Sequence, residues 1–272
     1  MSLDGRVLVA VAGEDEVHRA LAMALFDAAA RAHADAAGQD WFDVEHQRRW
    51  TTPNERDDVP ERRRYFDTHR EVELPGPTFR FSGRIDGKPL APSARKLREM
   101  WLRHNLLVPR PALLVVLQDS DGAPGVVEGA RQVVEWTRRQ EGMTLVVGVP
   151  ERDAEAWLLA GWRPTDPAEE SRLRAARETL HFDPTTQPER LTAHPNDALT
   201  DAKRVLRYLV FGETPLTRGR PESRPPSAEQ ADELAAEMAA DLARVRAHWA
   251  CNLAGFAEDL HRAVVLVFRD RL

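Results

Sequence analysis

The residues of this chain best suited to chemistry are Asp119 and Asp121, one residue apart in Gln118-Asp119-Ser120-Asp121-Gly122. Carboxylates at i and i+2 repel each other unless a cation neutralises them. Hard oxygen ligands of this kind suit Mg²⁺ or Mn²⁺. The plain alternative is a turn, because Asp and Gly are ordinary turn formers. The six apolar residues before the pair, Ala112-Leu113-Leu114-Val115-Val116-Leu117, favour a site. An apolar run of that length, bounded by turn residues, reads as a strand buried on both faces. Open α/β sheets place their ligands beyond the carboxyl ends of such strands.

A second strand end carries more carboxylates. Residues 6–12 form an apolar run that stops at Gly13, and Glu14-Asp15-Glu16 follows. From 14 to about 36 the spacing of Val17, Leu21, Leu25 and Phe26 is helical, with abundant alanine. Glu14 and Glu16 are candidate catalytic or metal-binding acids. Acidic residues in a first turn also simply complement the helix dipole. His18 lies one turn past Glu14 and could face the same place. Lys203 is one of only three lysines, with Lys88 and Lys96. It is either a phosphate-facing cation or a solvated helix residue.

The elements that position these residues alternate. A helix is expected from 93 to about 104, the buried strand at 112–117, a helix at about 125–140 and another buried strand at 144–149. Helices then start at Ala154 and run over about 168–179 and 197–210. This order predicts an α/β fold with a mostly parallel sheet covered by helices. Residues 38–93 break the pattern with six prolines and charge clusters, and read as a loop-rich insertion. Within it, Phe79-Arg80-Phe81 suggests a strand and Ile85-Asp86-Gly87-Lys88 a turn. Ser227 and Gln230 fit a capping box. The apolar stripe from Leu234 through Trp249 to about Phe268 predicts one long helix, bent at Gly255. The domains are therefore read as 1–210, α/β, and 227–270, a helical C-terminal extension with a possible role in homo-oligomerisation.

At 272 residues the chain can bury a sizeable core, and 42% apolar with 30% charged residues is the balance of a globular protein. No apolar stretch approaches the roughly 18 residues of a membrane span. Cys251 alone allows no internal disulfide and no cysteine-based zinc site. A cytoplasmic protein is expected. With a net charge of −6, any grip on nucleic acid must come from a local patch or a partner. Gln47-Arg48-Arg49-Trp50 and Glu61-Arg62-Arg63-Arg64-Tyr65 set cations beside aromatics, a pairing that suits phosphate contact and base stacking. No P-loop, Gly-x-Gly-x-x-Gly, His-Glu-x-x-His or Gly-x-Ser-x-Gly is present.

A strand ending in a Gly–Glu turn, then a later strand ending in Asp-x-Asp, resembles the Toprim superfamily. The likeness is to short prokaryotic Toprim proteins of the overcoming-lysogenization-defect nuclease type, which accompany ATPases. Ala12-Gly13-Glu14-Asp15-Glu16 stands against the family's Glu-Gly-x-x-Glu, and Asp119 and Asp121 against its Asp-x-Asp. Asp153-Ala154-Glu155-Ala156-Trp157-Leu158-Leu159-Ala160 resembles a helix reading Glu-x-Glu-Ala-Trp-Leu-Leu-Ala, the most specific of the matches. The resemblance spans about 6–30, 112–122, 144–162 and, more weakly, 196–210. It implies a Rossmann-like Toprim core in which Glu16, Asp119 and Asp121 hold Mg²⁺ or Mn²⁺. Lys203 would meet the scissile phosphate of a nucleic acid, DNA rather than RNA. The implied setting is bacterial defence beside an ABC- or SMC-type ATPase. Ala12 departs from the pattern, since an alanine neither binds metal nor moves a proton. Glu14 is the candidate replacement, and a catalytically silent binding subunit is the alternative.

Overall fold

The computed structural model describes residues 5–52, 59–68, 79, 83–120, 122–151, 153–192, 199–213, 216, 226–248 and 250–269. Its centre is a parallel sheet. β1 (Val7–Gly13) pairs with β6 (Leu113–Leu117), and β6 pairs with β7 (Thr144–Gly148). The other edge of β1 takes β2 (Arg48–Thr51) alongside Val7–Ala10, then β3 (Phe66–Asp67) alongside Ala12 and Gly13. A two-stranded hairpin, β4 (Arg84–Ile85) with β5 (Lys88–Pro89), stands apart from the sheet. Asp86 and Gly87 both take positive φ there, as a tight Asp-Gly hairpin turn requires.

Side chains alternate across β1 and β6 with the period of two that a strand imposes. Val7, Val9, Val11, Leu113, Val115 and Leu117 enter one apolar cluster, while Ala10, Ala12, Leu114 and Val116 enter a second. The second cluster is closed by α3 (Ala94–Asn105) and α4 (Pro124–Thr137). The first is closed by α1 (Glu16–Ala36), α5 (Ala154–Gly161), α8 (Ala228–Ala239) and α10 (Leu253–Phe268). Helices therefore cover both faces, which explains why β1 and β6 are apolar without interruption. The fold is α/β with a Rossmann-like core, as the alternating pattern predicts.

Three sequence expectations are refined. The segment 38–93 contributes two strands to the central sheet. β2 is not legible in the sequence, because it opens with two arginines. Arg48 is buried nonetheless, its guanidinium paired in two hydrogen bonds with Asp27 at 2.8 and 2.7 Å. Arg48 also lies over the Trp50 ring at 4.4 Å, and Trp50 is buried against Phe26. The Arg48–Trp50 pair is therefore part of the core, and the Trp50 ring is not available for base stacking. Of the expected 79–81 strand, Arg80 and Phe81 lie outside the described residues.

The single long C-terminal helix is broken. Asp241 caps a short α9 (Leu242–Val245), accepting from the Arg244 backbone. Asn252, with φ of 66°, takes the left-handed conformation just before α10. Gly255 sits inside α10. The apolar stripes of α8 and α10 lie against α1 in the same core as the sheet. The capping box at Ser227 and Gln230 is formed. Among the described residues, no helix is long and apolar enough to cross a membrane.

Candidate metal centre

The strand order β2-β1-β6-β7 reverses direction between β1 and β6. From β1 the chain passes through α1 to β2 on one side, and from β6 through α4 to β7 on the other. Such a switch point opens a crevice beyond the carboxyl ends of the two strands. The register Ala12↔Val116 brings those two ends level.

Two chain turns fill the crevice. After β1, Asp15 adopts extended φ/ψ and caps α1, its Oδ1 accepting from the backbone N–H groups of Val17 (2.9 Å) and His18 (3.1 Å). Gly13 makes room for that turn, since a Cβ there would lie 2.6 Å from the His18 Cβ. After β6, Asp119 is carried by a loop fixed to the one that follows β7. Ser120 N–H donates to the Pro150 carbonyl at 3.1 Å and Gly122 N–H to that of Glu151 at 3.2 Å. The Ser120 hydroxyl also donates to the Glu151 carbonyl.

His18 joins the two turns. It is 2% exposed, and its ring lies between Asp15 Oδ1, 2.7 Å from Nδ1, and Asp119 Oδ1, 3.1 Å from Nε2. The 2.7 Å contact is a well-formed hydrogen bond. The 3.1 Å contact lacks hydrogen-bond alignment, and among the described residues neither Nε2 nor Asp119 Oδ1 has another hydrogen-bond partner. Burial by itself would discharge the imidazole, but Asp119 and Asp15 together raise its pKa well above the usual histidine value. Burial likewise pushes Asp15 up, but His18 outweighs it and holds the carboxyl at about 2.

Glu14 completes the group. One carboxylate oxygen of Glu14, one His18 nitrogen and one Asp119 oxygen all lie within 4.8 Å of one another, so the three could hold a metal ion. Two carboxylates and an imidazole are a common donor set for a divalent cation.

A second set of charges borders the first. Asp153 and Glu155 open α5 and are buried, at 4% and 1% exposure. Lys203, in the first turn of α7 (Ala202–Leu206), places Nζ 3.6 Å from Asp153 Oδ1. Burial drives the Glu155 carboxyl up to about 8; Lys203 opposes this, while Asp153, Asp15 and Asp119 add to it. Burial disfavours the Lys203 ammonium, but Glu155, Asp153, Asp119 and Asp15 more than compensate and raise its pKa. Asp15 and Asp119 thus act on both sets, which form one electrostatic unit.

The structure therefore brings together Glu14, Asp119 and Lys203 from the sequence-derived candidates. It places Glu16 elsewhere. The Glu16 Oε2 accepts from Arg19 Nε at 2.6 Å and Arg63 at 3.4 Å, in an ion-pair network that includes Asp232 of α8. Asp121 lies outside the described residues. Asp153, Glu155 and His18 enter the unit with roles the sequence left open. Ordinary helix-start reasoning explains the first two, and only the fold shows that they face Lys203. Trp157, Leu158 and Trp162 are core residues.

In comparisons with known proteins, no family model, curated protein or solved structure matches the chain.

Proposed function

We propose that this protein cleaves nucleic-acid phosphodiester bonds with a divalent metal, Mg²⁺ or Mn²⁺. The observation that carries this reading is the convergence of Glu14, His18 and Asp119 at the switch point, with Lys203 beside them. Glu14, His18 and Asp119 would hold the ion. When bound, it would supply Lewis-acid stabilisation of charge on a phosphoryl oxygen. Lys203 stays cationic and would neutralise a non-bridging phosphate oxygen. Glu155 is mostly protonated at neutral pH and holds a proton next to Lys203. Asp153 keeps the ammonium oriented. The acidic chain gains its hold on DNA from a partner, and the Toprim resemblance suggests an ABC- or SMC-type ATPase in bacterial defence.

One observation favours a second reading, a silent binding subunit. Ala12 is fully buried at the end of β1, where the Toprim pattern has its first acid. Plasmid DNA and RNA incubated with the protein in Mg²⁺ or Mn²⁺ separate the two. The nuclease reading predicts nicking or cutting that Asp119→Ala removes. Cutting that survives Asp119→Ala would reject the site, and no cutting under any of these conditions, with the ATPase partner present, would favour the binding subunit.

A further inference from the structure

We infer that His18 is a nitrogen ligand to the metal, oriented by Asp15, and that it makes this a site for Mn²⁺ or another transition ion in preference to Mg²⁺. The inference rests on the metal-dependent function proposed above. It goes further by assigning Asp15 as the carboxylate that orients the imidazole and by naming the class of ion that the site prefers.

Three geometric facts carry it. First, Nδ1 donates to Asp15 Oδ1 at 2.7 Å, which leaves Nε2 as the ring atom turned toward Asp119. A carboxylate or carbonyl that fixes one ring nitrogen and thereby aims the other at a cation is the recurrent arrangement behind metal-bound histidine. Asp15 is itself held by two backbone N–H groups, so the ring cannot swing freely. Second, Nε2 faces Asp119 Oδ1 at 3.1 Å without hydrogen-bond alignment. Two donors at right angles on one ion, each about 2.1 Å from it, stand about 3.0 Å apart. Third, Glu14 brings a carboxylate oxygen to the same two atoms.

The ligand chemistry then sets the ion. Mg²⁺ prefers oxygen donors and gives up water reluctantly. Imidazole favours first-row transition ions, whose affinity for mixed nitrogen and oxygen sites rises from Mn²⁺ toward Zn²⁺. The family acid absent at Ala12 is thereby matched by a ligand in the first turn of α1. Its approach depends on the missing side chain at Gly13.

Mn²⁺ alone is the probe. Isothermal titration should show Mn²⁺ binding at least about tenfold tighter than Mg²⁺. Pulsed electron paramagnetic resonance on the Mn²⁺ protein should show one directly bound nitrogen, which changes isotope when the histidines carry ¹⁵N and vanishes in His18→Gln. Asp15→Asn keeps an acceptor for the helix cap and should weaken Mn²⁺ binding by about 10–100-fold. Because His18→Gln could disturb folding, the isotope experiment on the unaltered protein decides the matter. Bound Mn²⁺ with no nitrogen coupling overturns the inference, even if DNA is cut. A nitrogen-coupled ion without cleavage leaves the inference standing and counts against the nuclease reading. No binding of either ion overturns both.

Discussion

His18 Nε2 and Asp119 Oδ1 lie 3.1 Å apart, buried, and joined by no aligned hydrogen bond. One comes from the helix after β1 and the other from the loop after β6. Their meeting is a consequence of two adjacent parallel strands ending at the same level. Two buried polar atoms left facing each other in this way are costly unless something else satisfies them. A charged His18 ring supplies Asp119 with an opposite charge; a divalent cation that displaces the ring proton would hold both atoms directly.

Gly13→Ala tests how tightly the turn is built. The added methyl would fall within 2.6 Å of the His18 Cβ. Overpacking of this kind costs about 1–3 kcal/mol. Thermal unfolding should show that loss, and Mn²⁺ affinity should drop by about tenfold as His18 is displaced. A Gly13→Ala protein that binds Mn²⁺ as the unaltered chain does would separate His18 from the site.

Lys203→Met should reduce cleavage by about 10²–10³-fold, the size expected when one charge-stabilising donor is removed. Metal affinity should change far less, because Lys203 does not belong to the ligand group. Equal losses in cleavage and in metal binding would contradict a phosphate-facing role.

Two buried groups give opposite pH signatures. His104 is fully buried, with Nδ1 donating to the Met100 carbonyl, and burial lowers its pKa to about 4. The unfolded chain binds that proton more readily, so stability falls as pH drops from about 6.5 to about 4. The effect is roughly 3 kcal/mol. Glu155 has its pKa raised to about 8, so its contribution is complete below about pH 4.5 and is lost as pH climbs through 8. Denaturant unfolding of His104→Phe should lose the acid slope, and that of Glu155→Gln the decline in stability between about pH 4.5 and about pH 8. Unchanged slopes would mean that neither group is as buried as described.

Arg48→Ala should destabilise the fold by about 3–5 kcal/mol, because it strands the Asp27 carboxylate of α1. Urea unfolding measures this directly. A folded, equally stable variant that had lost only nucleic-acid affinity would return Arg48 to the role of a binding residue.

What was legible in the sequence follows the physics of each element. β1, β6 and β7 announce themselves because strands buried on both faces must be continuously apolar. α5 does so because all eight of its residues are buried. β2 is obscured by Arg48, whose charge is neutralised by a residue 21 positions earlier in the chain. The break between α8 and α10 is hidden because apolar residues continue at helical spacing on both sides of it. At the site, Glu14, Asp119 and Lys203 were readable as chemistry-bearing types. Glu16 and Glu14 are two residues apart, so only the turn set by Gly13 and the Asp15 cap decides which faces Asp119. Likewise, Glu155 looks like a routine first-turn acid until α7 places Lys203 near it.

The most direct measurement is cleavage of supercoiled plasmid by the unaltered protein and by Asp119→Asn, in Mn²⁺ and in a chelator. The account predicts nicking that requires Mn²⁺ and is lost in Asp119→Asn while the fold is retained. Equal cleavage by both proteins, or cleavage undiminished in chelator, would contradict it.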